Sequence, residues 1–111
     1  MNDLSTILNK IINELDSKKA INPVVLDTKG ISSFSDYFIV ASMDSERGVK
    51  ALSEHINLLL KKELKIETKT DGLSSPSWVI IDTGDIMIHL FHKDAREYYQ
   101  LESLWSNAEK Q

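Results

Sequence analysis

Apolar residues recur at helical spacing at the start of the chain. Leu4, Ile7, Leu8, Ile11, Ile12 and Leu15 form one stripe of an amphipathic helix, with Asp3 as a suitable N-cap, and the pattern predicts a helix over residues 4–18. Asn22-Pro23 is expected to break the chain, and Val24-Val25-Leu26-Asp27-Thr28 reads as a strand that Lys29-Gly30 ends. A Ser-rich loop follows. Tyr37-Phe38-Ile39-Val40-Ala41-Ser42 is apolar at both alternating sets of positions, which predicts a strand covered on both sides. Ser42 and Asp44 are capping types ahead of a second helix that should reach about Leu64, with the stripe Val49, Leu52, Ile56, Leu59, Leu60 and Leu64. Ile66-Glu67-Thr68-Lys69-Thr70 reads as an exposed edge strand, closed by the turn signal Asp71-Gly72.

The plainest hairpin joins Trp78-Val79-Ile80-Ile81 to Ile86-Met87-Ile88-His89-Leu90-Phe91 through Asp82-Thr83-Gly84-Asp85. A two-residue loop centred on Thr83-Gly84 would put a β-branched residue at positive φ. The expectation is therefore a type I turn with Gly84 as a left-handed bulge residue, which puts Trp78 and Ile80 on the face of Ile86, Ile88 and Leu90. Without the bulge, Trp78 faces His89. A third helix is expected over residues 93–108, with Tyr98, Leu101, Leu104 and Trp105 on one side. The order α-β-β-α-β-β-β-α predicts one α/β (α+β) domain over residues 1–111, a mixed five-stranded sheet with helices packed on it.

Composition narrows the chemistry. There are no cysteines among the 111 residues, which excludes disulfides, thiolate catalysis and Cys-bound metals. The net charge of −4 disfavours non-specific nucleic-acid binding. No apolar run approaches the length of a membrane span, and Met1-Asn2-Asp3-Leu4-Ser5 lacks the basic start and apolar block of a signal peptide. The expectation is a cytoplasmic protein whose mature form starts at Met1. Gly30, Gly48, Gly72 and Gly84 fall in no phosphate-binding pattern, and no serine sits in a nucleophile elbow.

Two constellations invite chemistry. His89 and His92 lie near Asp82 and Asp85, residue types able to hold a metal, but the strand pattern sends His89 onto a sheet face and His92 to the start of the last helix. Asp82 and Asp85 flank one turn, which reads as a solvated turn or as an acidic tip offered to a basic partner. No catalytic residue, metal ligand or cofactor is expected. Residues 82–102 carry five acids and two bases, and both tryptophans and two of the three tyrosines fall in the last 34 residues. Apolar anchors with an acidic rim suit a basic protein surface, although Tyr98 and Leu101 serve equally well to pack a helix on the sheet.

Several runs together resemble a known family. They are Val25-Leu26-Asp27, the run from Ser35 to Ser42, Arg47 with Val49-Lys50-Ala51, the run from Trp78 to His92, Ala95-Arg96-Glu97-Tyr98-Tyr99 and Leu101-Glu102-Ser103-Leu104-Trp105. Across residues 4–106 the chain resembles the ribosomal silencing factors, RsfS, also called the Iojap family. It departs from them at Thr83, where the family often has Tyr, and in residues 66–77, where only Asp71-Gly72 survives of a Gly-rich wording.

The resemblance implies a nucleotidyltransferase-like fold without the catalytic signature: Ser42-Met43-Asp44-Ser45 stands where Gly-Ser would precede the second helix. It implies binding to the large ribosomal subunit through its fourteenth universal protein, a basic protein at the subunit interface. Small-subunit joining would thereby be blocked and translation repressed under nutrient limitation. Little direct RNA contact, no membrane, and a homodimer in the free state are further implications. The contact role carries over to Trp78, Asp82, Gly84, Asp85, Tyr98, Leu101, Leu104 and Trp105. The rival readings are a magnesium-dependent nucleotidyltransferase-like enzyme, needing Asp27, Asp82 and Asp85 to converge, and a dimeric scaffold protein.

Overall fold

The N-terminal stripe forms α1 (Leu4–Ser17), with Ile11 and Leu15 fully buried. The computed structural model describes residues 4–27, 36–74, 77–94 and 109–110, with the side chains of the last pair excepted. α1 stops because Lys19 turns left-handed at φ 62°, so that the Ala20 N–H reaches the Leu15 carbonyl at 2.9 Å and the Lys19 N–H the Asp16 carbonyl at 3.0 Å. These two bonds occupy carbonyls that a helix end otherwise leaves to water.

Strand β1 (Ile21–Asp27) starts earlier than expected, because Asn22-Pro23 is absorbed rather than breaking the strand. The register with the next strand shifts between Ile21 and Val24, and Asn22 adopts φ 46°. A bulge is where a strand tolerates a residue with no N–H to donate. β2 (Tyr37–Met43) is buried from Phe38 to Ser42, as a strand covered on both faces should be.

Helix α2 (Glu46–Leu58) is capped by Ser45, whose hydroxyl accepts from the Gly48 N–H at 3.0 Å. The expected caps do other work. Ser42 is buried in β2 and donates to the Ile21 carbonyl, and the Asp44 carbonyl accepts from His92 Nε2 at 3.1 Å. A π-helical turn (Leu59–Glu63) follows, with the Leu64 N–H bonded to the Leu59 carbonyl. All six residues of the predicted stripe are buried.

Three strands complete the main sheet: β3 (Lys69–Asp71), displaced toward the C-terminus from its predicted span, β4 (Trp78–Asp82) and β5 (Ile86–His92). The expected five-stranded mixed sheet is present, with β2 and β5 parallel and its other neighbours antiparallel. A sixth strand, β6 (Glu109–Lys110), was not foreseen; it pairs with β1, giving the order β3-β4-β5-β2-β1-β6. Two residues are too short to leave a periodic signal.

Period-two alternation splits the sheet into two unlike faces. One carries Val25, Ile39, Ala41, Val79, Ile81, Ile86, Ile88 and Leu90 and is joined in a single core to the buried stripes of α1 and α2. The other clusters Leu26, Phe38, Val40 and Phe91 with Val24, Trp78 and Met87, and no residue of α1 or α2 belongs to it. Among the described residues, no helix is long and apolar enough to cross a membrane. Residues 93 and 94 are helical; the rest of the predicted third helix lies outside the described residues.

Candidate partner-binding site

The turn between β4 and β5 sets the site. Asp82 pairs with Met87, and the Thr83 N–H bonds to the Ile86 carbonyl at 3.0 Å, leaving Gly84-Asp85 as a two-residue loop. Gly84 takes φ 102°, and Asp85 is not among the described residues with positive φ. The expected bulge is therefore absent. Thr83 does resist positive φ, but the loop sits one residue later than the expectation assumed, and a glycine meets the demand instead. The Thr83 hydroxyl locks the turn through bonds with both the N–H and the carbonyl of Ile86, each 3.1 Å.

Register then corrects the expected place of Trp78. It lies opposite Phe91, with Ile80 opposite His89, so Trp78, Ile80, Asp82, Met87, His89 and Phe91 share the face turned away from α1 and α2. The half-buried Trp78 indole stacks on Phe91 at 5.1 Å between ring centroids, and its N–H donates to His89 Nδ1 at 3.2 Å. With Nδ1 accepting, the neutral imidazole carries its hydrogen on Nε2. That atom is buried without a hydrogen-bond partner, and Phe38 packs on the ring at 4.7 Å. Burial disfavours the charged imidazolium and lowers the His89 pKa from 6.5 to about 4. His89 thus holds the indole as a neutral acceptor. Its part was missed in the sequence because it depends on the hairpin register.

The acidic end of the site is the turn itself. The Asp82 carboxylate accepts from the Gly84 N–H at 2.8 Å, and Asp82 is half-buried. Asp85 is exposed at the tip, and its carbonyl accepts from the N–H groups of Asp36 and Tyr37 at 2.9 and 3.2 Å. Gly84 is exposed, with nothing within 4 Å of where a Cβ would stand. A groove of about 420 Å³ opens beside them, lined by Glu67, Thr68, Lys69, Asp82, Thr83 and Gly84. Trp78 and Asp82 lie on one face about 13 Å apart along β4. The arrangement joins an aromatic anchor to an acidic tip, a surface suited to recognition.

Tyr98, Leu101, Leu104 and Trp105 lie outside the described residues. The carboxylates an enzyme would need are dispersed. Asp27 lies opposite Tyr37, and Tyr37 opposite Ile86, which sets Asp27 two strands, about 10 Å, from the Asp82–Asp85 turn. His92 turns to the Asp44 carbonyl while His89 is buried against Trp78, so the two histidines serve different neighbours.

Comparison with known proteins gives these features a context. The family model described as ribosomal silencing factor during starvation matches residues 2–111. A ribosomal silencing factor from Halalkalibacterium halodurans is 37% identical over 102 residues, covering 92% of this chain and 87% of that one. A crystal structure of a Chromobacterium violaceum protein superposes with a TM-score of 0.89 at 33% identity, covering 95% of this chain and 88% of that one. More distant is a mouse protein named for mitochondrial assembly of the ribosomal large subunit, 27% identical over 89% of this chain and 45% of its own length. The chain belongs to the ribosomal silencing factor family.

Proposed function

We propose that this protein is a steric repressor of translation. It docks on the large ribosomal subunit through the basic fourteenth universal protein at the subunit interface and keeps the small subunit from joining when nutrients run short. Family membership over nearly the whole chain carries the reading. The name of the mouse relative, which refers to the large subunit, supports the choice of subunit. The acidic tip of Asp82 and Asp85 beside Trp78 offers charge and an anchor to a basic surface. Trp78, Asp82, Gly84 and Asp85, with Tyr98, Leu101, Leu104 and Trp105, form the contact.

On this reading the protein acts by occupancy in the cytoplasm, without catalysis or cofactor and with little direct RNA contact, and it is a homodimer when free. The net charge of −4 favours a protein partner over bare RNA.

Light scattering of purified subunits, at a magnesium level where they join, tests the proposal. The protein in excess should abolish the rise. Asp85→Lys, which reverses the exposed charge at the tip, should weaken binding to the large subunit by about tenfold or more while the fold is retained. Normal joining in the presence of excess protein refutes the repressor reading. Unchanged binding by both Asp85→Lys and Trp78→Ala refutes the assigned surface.

A further inference from the structure

The edge strand β3 follows from the hairpin hydrogen bonds. The Thr83 N–H bonds to the Ile86 carbonyl and the His92 N–H to the Ser77 carbonyl, so the odd-numbered residues of β4 direct their backbone groups to β5. By antiparallel alternation, Ile80 and Asp82 direct theirs to β3, where they meet Asp71 and Lys69. Those two residues of β3 are thereby turned inward, and the N–H and carbonyl of Thr70, midway between them, point outward from the end of the sheet. Among the described residues no strand pairs with that side.

The side chains are arranged about the same point. Thr70 lies opposite Ile81 on the helix side, where its hydroxyl exchanges hydrogen bonds with the Asn57 amide at 3.0 and 3.3 Å, fixing the strand to α2. Lys69 and Asp71 are exposed on the opposite face, and neither has an ion pair with another described residue. A base and an acid at equal distances on either side of one residue are self-complementary under a twofold axis. When the strand is reversed onto itself, Lys69 meets Asp71.

We infer that β3 is an interface between two copies of this chain, paired antiparallel with Thr70 on the twofold axis. The two Thr70 residues exchange both N–H···O bonds, and Lys69 faces the partner's Asp71 on each side. Charged residues on an edge strand ordinarily guard it against other strands. Here the alternation of sign repels most comers while admitting a reversed copy, so the guard also selects the partner. This assigns a surface to the self-association stated under the proposed function, and it rests on that reading.

Sedimentation velocity of the full chain at low salt, over a concentration series, tests the interface. The wild type should dimerise. Lys69→Asp and Asp71→Lys should each weaken the dimer by about tenfold or more, because two attractive pairs become two repulsive ones. An equimolar mixture of the two variants should recover dimer, since the two acidic positions of one meet the two basic positions of the other. The exchanged chain carrying both substitutions should recover it too. Thr70→Pro removes the outward N–H without touching the ladder to β4 and should abolish pairing, with far-ultraviolet circular dichroism checking the fold. A wild type that stays monomeric throughout overturns self-association itself. A dimer that neither the reversals nor Thr70→Pro disturb, or one that neither the mixture nor the exchanged chain recovers, places the contact elsewhere and overturns this edge alone.

Discussion

The two faces of the sheet are built by the same strands yet differ in kind. On the side of α1 and α2, Val79, Ile81, Ile86, Ile88 and Leu90 are all fully buried aliphatic side chains. On the other side, the same two strands present Trp78, Ile80, Asp82, Met87, His89 and Phe91. The first face is uniform, and dispersion and the hydrophobic effect are enough to hold it. The second mixes rings, a carboxylate and an imidazole, and its order depends on directional contacts such as the indole N–H on His89. One face stabilises the fold, and the other leaves a half-buried tryptophan and an acidic turn at its margin. Alternation with a period of two lets one hairpin serve both purposes.

The largest expected effect tests the aliphatic face. Ile88→Ala should cost about 2–5 kcal/mol in urea denaturation, the usual penalty for a fully buried aliphatic truncated to alanine. Ile80→Ala, half-buried on the other face, should cost clearly less. Equal costs would erase the distinction between the faces.

Acidification tests the mixed face. His89 has a folded pKa of about 4 against 6.5 when unfolded, so the unfolded chain binds a proton first. The neutral ring's contribution is complete above pH 6.5 and is lost as the pH falls toward 4. The wild type should therefore lose about 3 kcal/mol more than His89→Asn between pH 7 and pH 4, because each tenfold difference in proton affinity is worth about 1.4 kcal/mol. Parallel stability curves for the two proteins would show that His89 is not buried as a neutral acceptor.

The smallest effect belongs to the turn that fixes the register of both faces. Gly84→Ala should cost about 1 kcal/mol, from its positive φ alone, because a Cβ there meets nothing within 4 Å. A thermal shift of a few degrees would report it. A much larger loss would mean that the hairpin changes register instead of absorbing the strain.

Much of the architecture was legible in the chain. The stripes of α1 and α2 and the apolar run of β2 are plain there, because burial of one helical face or both strand faces leaves a periodic trace. The Trp78–Asp82–Asp85 constellation and the family resemblance were visible too, since they depend on residue types and their order. What the sequence by itself determined was which elements form and which residue types they bring.

Tertiary structure decided how they meet. Asn22-Pro23 looked like a break, but pairing with β2 absorbs it as a bulge. The loop could centre on Thr83-Gly84 or Gly84-Asp85, and nothing local separates the two frames. Pairing the strands selected the second, and with it the face of Trp78, because a slip of one residue turns a side chain to the opposite side of the sheet. The bond from Trp78 to His89 and the outward backbone of Thr70 follow from that choice. Both are cross-strand relations, and a linear chain specifies its neighbours along the strand more plainly than those across it.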